Sequence, residues 1–184
     1  MRQKLIKLCL VCAMTLSLVN LSFVEGVKAL SGYDNIALNK TVTADSTASG
    51  KSVNYLVDGA VVDKQTWQVA YVAGSAYDRG NGNTEVQLNL DLDARCIINE
   101  IDLTWATTVW AKTIKIEGSV DGNEYFLIKE ITDNVISADK ERQIIAIEDK
   151  EVQYLRFTFN DPNNKTYGYE LYDIEVYGAE LVND

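Results

Sequence analysis

The chain has 184 residues, of which 27 are acidic and 17 are basic, and its net charge at pH 7 is −10. An acidic surface repels nucleic-acid phosphates and anionic lipid headgroups, so both are poor partners, whereas neutral ligands and cations remain favoured. Histidine is absent from the sequence. The commonest general base and the commonest zinc ligand are therefore both missing.

The N-terminus has the pattern of a secretory signal peptide. Basic residues stand at positions 2, 4 and 7, an apolar run covers 8–24, and Val27 and Ala29 form a small-x-small cleavage pattern. We predict a signal peptide over residues 1–29, cleavage before Leu30 and a secreted, extracellular protein with no membrane insertion afterwards. The alternative is a retained membrane anchor, but Ser17 and Asn20 interrupt the apolar run.

Cleavage leaves residues 30–184 as one domain, with its core at about 35–178. Four basic residues and one acidic residue leave with the signal peptide, so 13 basic and 26 acidic side chains remain and the net charge becomes −13. Cys96 is then the single cysteine, which excludes an internal disulfide. Its position in a strand-like run predicts a buried structural thiol.

Apolar residues recur at every second position along most of the mature sequence. This period places the apolar side chains on one face of each strand, as in antiparallel sandwiches. The alternating segments are 85–90, 101–105, 113–117, 145–147, 155–159 and 172–176. The sequence therefore predicts an all-β fold of two packed antiparallel sheets.

Turns and loops separate the predicted strands. Asp121-Gly122 reads as a hairpin turn, and residues 52–57 are the nearest approach to a helix, of about one turn. Two loops, 71–84 and 160–169, are long for a compact β-domain and carry aromatic, Asn or Arg side chains. Loops of this length are usually either functional or disordered, and these side chains favour a function.

Several segments taken together resemble the coagulation factor V/VIII type C (discoidin) domain, and above all the family 32 carbohydrate-binding modules. The opening segment NIALNKTVTA matches the family pattern Asn-hydrophobic-Ala-x-x-Lys-x-Val-x-Ala, and the other landmarks follow in the family's order. The matching segments are 35–44, 57–59 with Trp67, 85–92, 111–123, 154–157 and 171–178. The resemblance implies an eight-stranded jelly-roll sandwich like that of other galactose-binding domains.

The resemblance also implies a structural calcium ion between the early turn and the last strand. Asp58 and Asp173 would supply carboxylates, and carbonyls near Tyr55, Gln65 and Tyr172 would complete the oxygen shell that calcium requires. The early turn departs from the family pattern, since Ala60 and Gln65 replace oxygen-bearing residues there. Asp63 and Thr66 are candidates to replace the missing oxygens. The alternative is that Asp58 caps its turn and that Asp173 faces solvent.

Sugar recognition combines an aromatic face, which covers the C–H side of a pyranose, with polar groups that bond its hydroxyls. The family binds its ligands among variable loops at one end of the sandwich. The candidates in this sequence are Tyr71, Tyr77, Arg79, Asn83, Trp110, Asn163, Asn164 and Tyr167. The resemblance implies that Trp67 is a core residue, and the alternation places Trp105 in the core with Ile101 and Leu103. Trp110 fits the core and the site equally well. Family members that bind galactose often use histidine, so galactose specificity does not transfer directly.

The leading hypothesis is a secreted, non-catalytic, lectin-like module whose partner is a neutral glycan or a glycoprotein. The alternative is an extracellular protein–protein adhesion domain or an accessory subunit of a secreted complex. An enzyme is disfavoured, because the sequence has no nucleophile elbow, phosphate-binding loop or metal-ligand cluster.

Overall fold

The computed structural model describes residues 33–70, 84–106 and 109–182. Regular structure in these ranges consists of eight β-strands and one 3₁₀-helix, Val53–Val57. The strands are β1 Asp34–Asn35, β2 Thr41–Ala44, β3 Trp67–Gln68, β4 Val86–Trp105, β5 Ala111–Ser119, β6 Phe126–Ile131, β7 Glu141–Pro162 and β8 Glu170–Glu180. All their pairings are antiparallel, which confirms the predicted all-β class. The predicted signal peptide lies outside the described residues.

The two long strands β4 and β7 pass through both layers of the sandwich. The first half of β4 pairs with β2 and with the second half of β7. The second half of β4 pairs with β8 and with the first half of β7. The ladder shifts register between Asp91 and Cys96, where the strands bend. Trp105 and Phe159 lie far apart along this ladder, yet their ring centroids are 5.3 Å apart in an edge-to-face contact. The sheet is therefore folded onto itself as a two-layer jelly roll.

Four of the predicted strand segments merge into two strands. Segments 85–90 and 101–105 both belong to β4, and segments 145–147 and 155–159 both belong to β7. Asp93 takes a left-handed φ of 66° where the alternation breaks, and the ladder continues on the other side of this irregularity. A bulge bends a strand without ending its pairing. Alternation alone therefore suggests separate strands where the chain is continuous.

The core lies between the two layers and is rich in aromatic side chains. Trp67, Trp105, Phe157, Phe159 and Tyr169 are fully buried, and the ring of Phe159 contacts the other four. The prediction that Trp67 and Trp105 are packing residues is confirmed.

Two smaller predictions about local structure are also confirmed. Cys96 is a buried free thiol, and burial raises its pKa to about 11. The short helix begins after Ser52, whose hydroxyl accepts a hydrogen bond from the N–H of Asn54 at 3.2 Å. Across the described ranges, none of the helical structure is long and apolar enough to cross a membrane.

The predicted hairpin turn at Asp121-Gly122 joins β5 to β6. Gly122 has a φ of 76°, a left-handed conformation that glycine adopts without steric cost. Asp121 organises the turn: its Oδ1 accepts from the N–H groups of Asn123 at 2.8 Å and Glu124 at 3.1 Å.

Candidate functional site

Two loop segments meet at the end of the sandwich where β4 leads into β5 and β7 ends. The N–H of Trp110 donates to Oδ1 of Asn163 at 2.7 Å, and the N–H of Asn163 donates to the carbonyl of Trp110 at 3.0 Å. This pair directly continues the β5–β7 ladder, whose last register pair is Ala111 with Pro162. The structure thus brings together two predicted ligand residues that are 53 positions apart.

The indole of Trp110 is held in one orientation. It is partly buried and packs against the main core, and its Nε1 donates to the carbonyl of Asn134 at 3.1 Å. Trp110 therefore packs against the core while the residue as a whole stays partly accessible. A fixed, partly exposed aromatic ring is suited to cover the apolar face of a sugar.

Asn164 shapes the loop that carries Tyr167. Its Oδ1 accepts from the N–H groups of Thr166 at 3.0 Å and Tyr167 at 3.3 Å, and its carbonyl accepts from the N–H of Gly168 at 3.0 Å. Asn164 therefore builds the turn with its side-chain oxygen. Tyr167 lies at the tip of this turn and remains 42% exposed.

The first long loop begins and ends beside the second one. The N–H of Val69 donates to the carbonyl of Tyr169 at 3.1 Å, and the phenol of Tyr169 donates to the carbonyl of Thr84 at 2.8 Å. The hydroxyl of Thr84 also donates to Oδ1 of Asn160 at 2.5 Å. The predicted ligand residues Tyr71, Tyr77, Arg79 and Asn83 lie outside the described residues.

Asn134 was missed by the sequence analysis. It is buried, its Nδ2 donates to the carbonyl of Ala111 at 3.0 Å, and its Oδ1 accepts from Nε2 of Gln143 at 2.9 Å. The Oε1 of Gln143 in turn accepts from the indole of Trp105 at 3.0 Å. Asn134 therefore links the buried Trp105 to the partly buried Trp110. Nothing in the local pattern at Asn134 distinguishes it from an ordinary loop asparagine, because its role depends on tertiary contacts.

The predicted calcium residues Asp58 and Asp173 lie close enough to interact electrostatically. Oδ1 of Asp58 accepts from the N–H of Ala60 at 2.9 Å, so this carboxylate does cap its turn. Asp173 is 3% exposed and therefore does not face solvent, and its Oδ1 has no hydrogen-bond partner. Burial, followed by the charges of Glu175 and Asp58, raises the pKa of Asp173 to about 7. An orphaned carboxylate oxygen in such a place fits a bound cation.

The other predicted calcium residues are arranged differently. Asp63 is exposed, and its carboxylate accepts from Nζ of Lys140 at 2.5 Å, which lowers the pKa of Asp63. The same ammonium lies 5.5 Å from the ring centroid of Tyr172. Asp63 is therefore paired with a lysine. Tyr55 lies in the 3₁₀-helix, and the N–H of Gln65 donates to the carbonyl of Val62 at 3.1 Å.

Thr66, the other candidate to supply an oxygen, is also engaged. Its hydroxyl donates to Oε1 of Glu170 at 2.6 Å and accepts from Nζ of Lys51 at 2.5 Å. Across the described residues, no group of three or more acidic or cysteine side chains could hold a metal. A calcium ion would therefore rely on Asp58 and Asp173, with main-chain carbonyls and water completing its shell.

An antiparallel jelly roll whose end loops carry a held aromatic ring and amide side chains defines a class of small binding domains. The F5/8 type C domain profile matches residues 41–172 of the chain. The chain belongs to the F5/8 type C domain family. A search of curated protein sequences gives no significant match.

Solved structures of carbohydrate-binding modules share the fold. Chitosan-binding module 1 from a chitosanase/glucanase of Paenibacillus sp. IK-5 is 24% identical with a TM-score of 0.63, and the match covers 79% of this chain and 100% of the module. CBM32-3 from a family 31 glycoside hydrolase of Clostridium perfringens is 23% identical with a TM-score of 0.63, covering 80% of this chain and 94% of the module. CpGH89CBM32-5 of Clostridium perfringens, in complex with GalNAc-beta-1,3-galactose, is 13% identical with a TM-score of 0.59, covering 80% of this chain and 99% of the module.

Proposed function

We propose that the protein is a secreted, non-catalytic carbohydrate-binding protein that recognises a neutral glycan at the end of the sandwich formed by Trp110, Asn163 and Tyr167. The reciprocal hydrogen bonds between Trp110 and Asn163 carry this proposal, because they place an aromatic ring and an amide side chain on one rigid support. The family membership and the shared fold of carbohydrate-binding modules support it.

The acidity of the chain bears on the class of glycan. The net charge of −13 on residues 30–184 (13 basic and 26 acidic side chains) opposes sulfated or uronic-acid-rich polymers. Neutral sugars meet no such barrier, and the aromatic ring and amides at the site suit their apolar faces and hydroxyls. The similar Paenibacillus module is described as chitosan-binding, so amino sugars belong in the same test.

A glycan array with residues 30–184 tests the proposal directly. We expect signal on one class of neutral or amino-sugar glycan and none on sulfated or uronic-acid glycans. Thermal melting of the same sample shows that the protein is folded. A folded sample that is silent on every glycan contradicts the function. A signal that the variant Trp110→Ala retains in full contradicts the proposed site.

We propose that the protein is exported, because its N-terminus has the pattern of a signal peptide. We expect the full chain, expressed in a secreting bacterial host, to accumulate in the medium with Leu30 as its first residue. N-terminal sequencing of the exported protein provides the measurement. A protein that stays in the membrane fraction with its first 29 residues attached supports the retained anchor instead.

We also propose that Asp58 and Asp173 hold a structural calcium ion. When bound, the ion would satisfy the orphaned oxygen of Asp173 and tie the early turn to β8. A ligand that binds only the folded state raises the melting temperature with its concentration. We expect exhaustive chelation to lower the melting temperature and calcium chloride to restore it. An unchanged melting curve contradicts the calcium site and leaves the glycan proposal standing.

A further inference from the structure

Arg142 spans three strands on the outer face of the sandwich, next to Asp173. It lies on β7, and its Nε contacts Oδ2 of Asp102 on β4 at 2.5 Å and Oε2 of Glu175 on β8 at 3.2 Å. Its Nη2 donates to the hydroxyl of Tyr177, also on β8, at 2.8 Å. The guanidinium thus lies across β4 and covers the carboxylate of Asp102, whose side chain is 1% exposed.

Strand register places these groups around the predicted calcium ligand. Thr104 of β4 is opposite Arg142 on one side and opposite Asp173 on the other. Glu175 is two residues beyond Asp173 on β8, so both side chains lie on the same face about 7 Å apart along the strand. The charges of Arg142 and Glu175 are therefore near any cation that Asp173 binds.

Arg142 is shared unequally among the carboxylates of this face. It forms ion pairs with Asp102 and Glu175. Oδ1 of Asp102 and Oδ1 of Asp173 are both buried without a hydrogen-bond partner, but Arg142 already neutralises Asp102 through its Oδ2. Among the described residues no ion pair joins Asp173, so its carboxylate lacks the counter-charge that Asp102 has.

We propose that Arg142 and Glu175 set the strength with which the Asp58–Asp173 pair binds calcium. Glu175 attracts the ion, and Arg142 repels it while neutralising Asp102. At the dielectric constant of water and without salt, one unit charge about 7 Å from a divalent ion, the along-strand spacing of Glu175 from Asp173, changes its binding roughly sevenfold. Salt reduces the effect, above all for the 45% exposed side chain of Arg142. This inference rests on the calcium site proposed above.

Calcium chloride titrations of residues 30–184, followed by calorimetry, test the inference. They are run well above the pKa of about 7 of Asp173, so that protonation does not compete with calcium. At low ionic strength we expect Glu175→Gln to weaken calcium binding several-fold and Arg142→Gln to strengthen it. Arg156→Gln is the matched control, because Arg156 lies on the half of β7 in the other layer, where it stacks 3.7 Å from the ring centroid of Tyr125.

A double variant separates charge from packing. Arg142→Gln alone leaves Asp102 buried without its counter-charge, whereas Asp102→Asn with Arg142→Gln keeps the net charge of the wild type. We expect the double variant to bind calcium as the wild type does. If Arg142→Gln does not fold, Glu175→Gln decides the question, because it leaves the Asp102–Arg142 pair in place.

Opposite shifts in the two single variants, with Arg156→Gln unchanged, support the inference. Wild-type affinity in both single variants overturns it, and so does an equal gain in Arg142→Gln and the double variant. A wild type that ignores calcium overturns both this inference and the calcium site, and does not affect the glycan proposal.

Discussion

Trp110 and Asn163 are joined by two hydrogen bonds of opposite direction, one at 2.7 Å to the side-chain oxygen of Asn163 and one at 3.0 Å between the main chains. The pair extends the β5–β7 ladder beyond the last paired residues of the two strands. Because the ladder is rigid, the pair is also held rigid. The candidate site is thus supported by sheet structure at one of its edges, although its residues lie in loops.

The side-chain oxygen of Asn163 should contribute to the free energy of unfolding about as much as one hydrogen bond to the main chain. We expect Asn163→Ala to lower the free energy of unfolding by about 1 kcal/mol, because the N–H of Trp110 loses its acceptor. Asn163→Asp keeps an acceptor at the same place and should cost much less. Urea unfolding of the two variants measures the difference, and equal losses would show that the bond contributes nothing.

Trp110 should report ligand binding by its fluorescence. The three tryptophans of the chain are Trp67, Trp105 and Trp110, and the first two are fully buried. We therefore expect the emission change caused by a bound glycan to disappear in Trp110→Phe, while the affinity measured by calorimetry stays within a few fold. Trp110→Ala should lose about tenfold in affinity, because the aromatic contact is gone. A full emission change in Trp110→Phe would place the ligand elsewhere.

Phe159 should be among the core positions at which a substitution lowers the free energy of unfolding most. Its ring contacts Trp67, Trp105, Phe157 and Tyr169 from both layers. We expect Phe159→Ala to lower the free energy of unfolding by about 3–5 kcal/mol, since it removes a buried ring and leaves a cavity between the layers. The control is Ile144→Ala, at a side chain that is 61% exposed, with a loss of about 0.5 kcal/mol or less. Similar losses in both variants would contradict the central position of Phe159.

The β5–β6 turn should lose stability in acid through Asp121. The N–H of Asn123, then that of Glu124 and the hydroxyl of Ser119, hold the pKa of Asp121 below its ordinary value of 3.8. A lowered folded-state pKa contributes stability that is complete above 3.8 and is lost as the pH falls through the folded-state value. Asp121→Asn lacks this titration, so the advantage of the wild type should shrink below that pH. Unfolding by urea at a series of pH values measures it, and a constant difference would contradict the assignment.

The fold was largely predictable because burial on one face of an antiparallel strand leaves a period of two in the sequence. Leu103, Phe157 and Ile174 were all placed on inward faces by this alternation, and all three are buried. The period fails in two places. Near Asp93 the left-handed residue breaks it although the pairing continues. Asp102 and Asp173 are buried on the face that the alternation assigns to solvent. The period of two indicates which face of a strand is buried, but it does not indicate where a strand bends.

The candidate site was predictable only in part. The loop composition indicated Trp110 and Asn163, but their mutual bonding depends on β5 and β7 being neighbours. Asp63 was predicted as a replacement calcium ligand from its position in the early turn, yet Lys140, which is 77 residues away, takes its carboxylate. Asn134 carried no local signal. A side chain's partners are set by which segments the fold makes adjacent, and short motifs do not contain that information.

The amino-acid sequence by itself determined the all-β class, the burial of Trp105 and Cys96, and the turn at Asp121-Gly122, because each depends on residue type and spacing within one segment. The burial of Trp67 was expected from the family resemblance. The tertiary structure alone decided that β4 and β7 fold into two layers, that Trp110 is bound to Asn163 and Asn134, and that Asp173 is buried with a vacant oxygen. These features arise between segments distant in the chain, where the cost of burying a polar group depends on what the fold brings beside it.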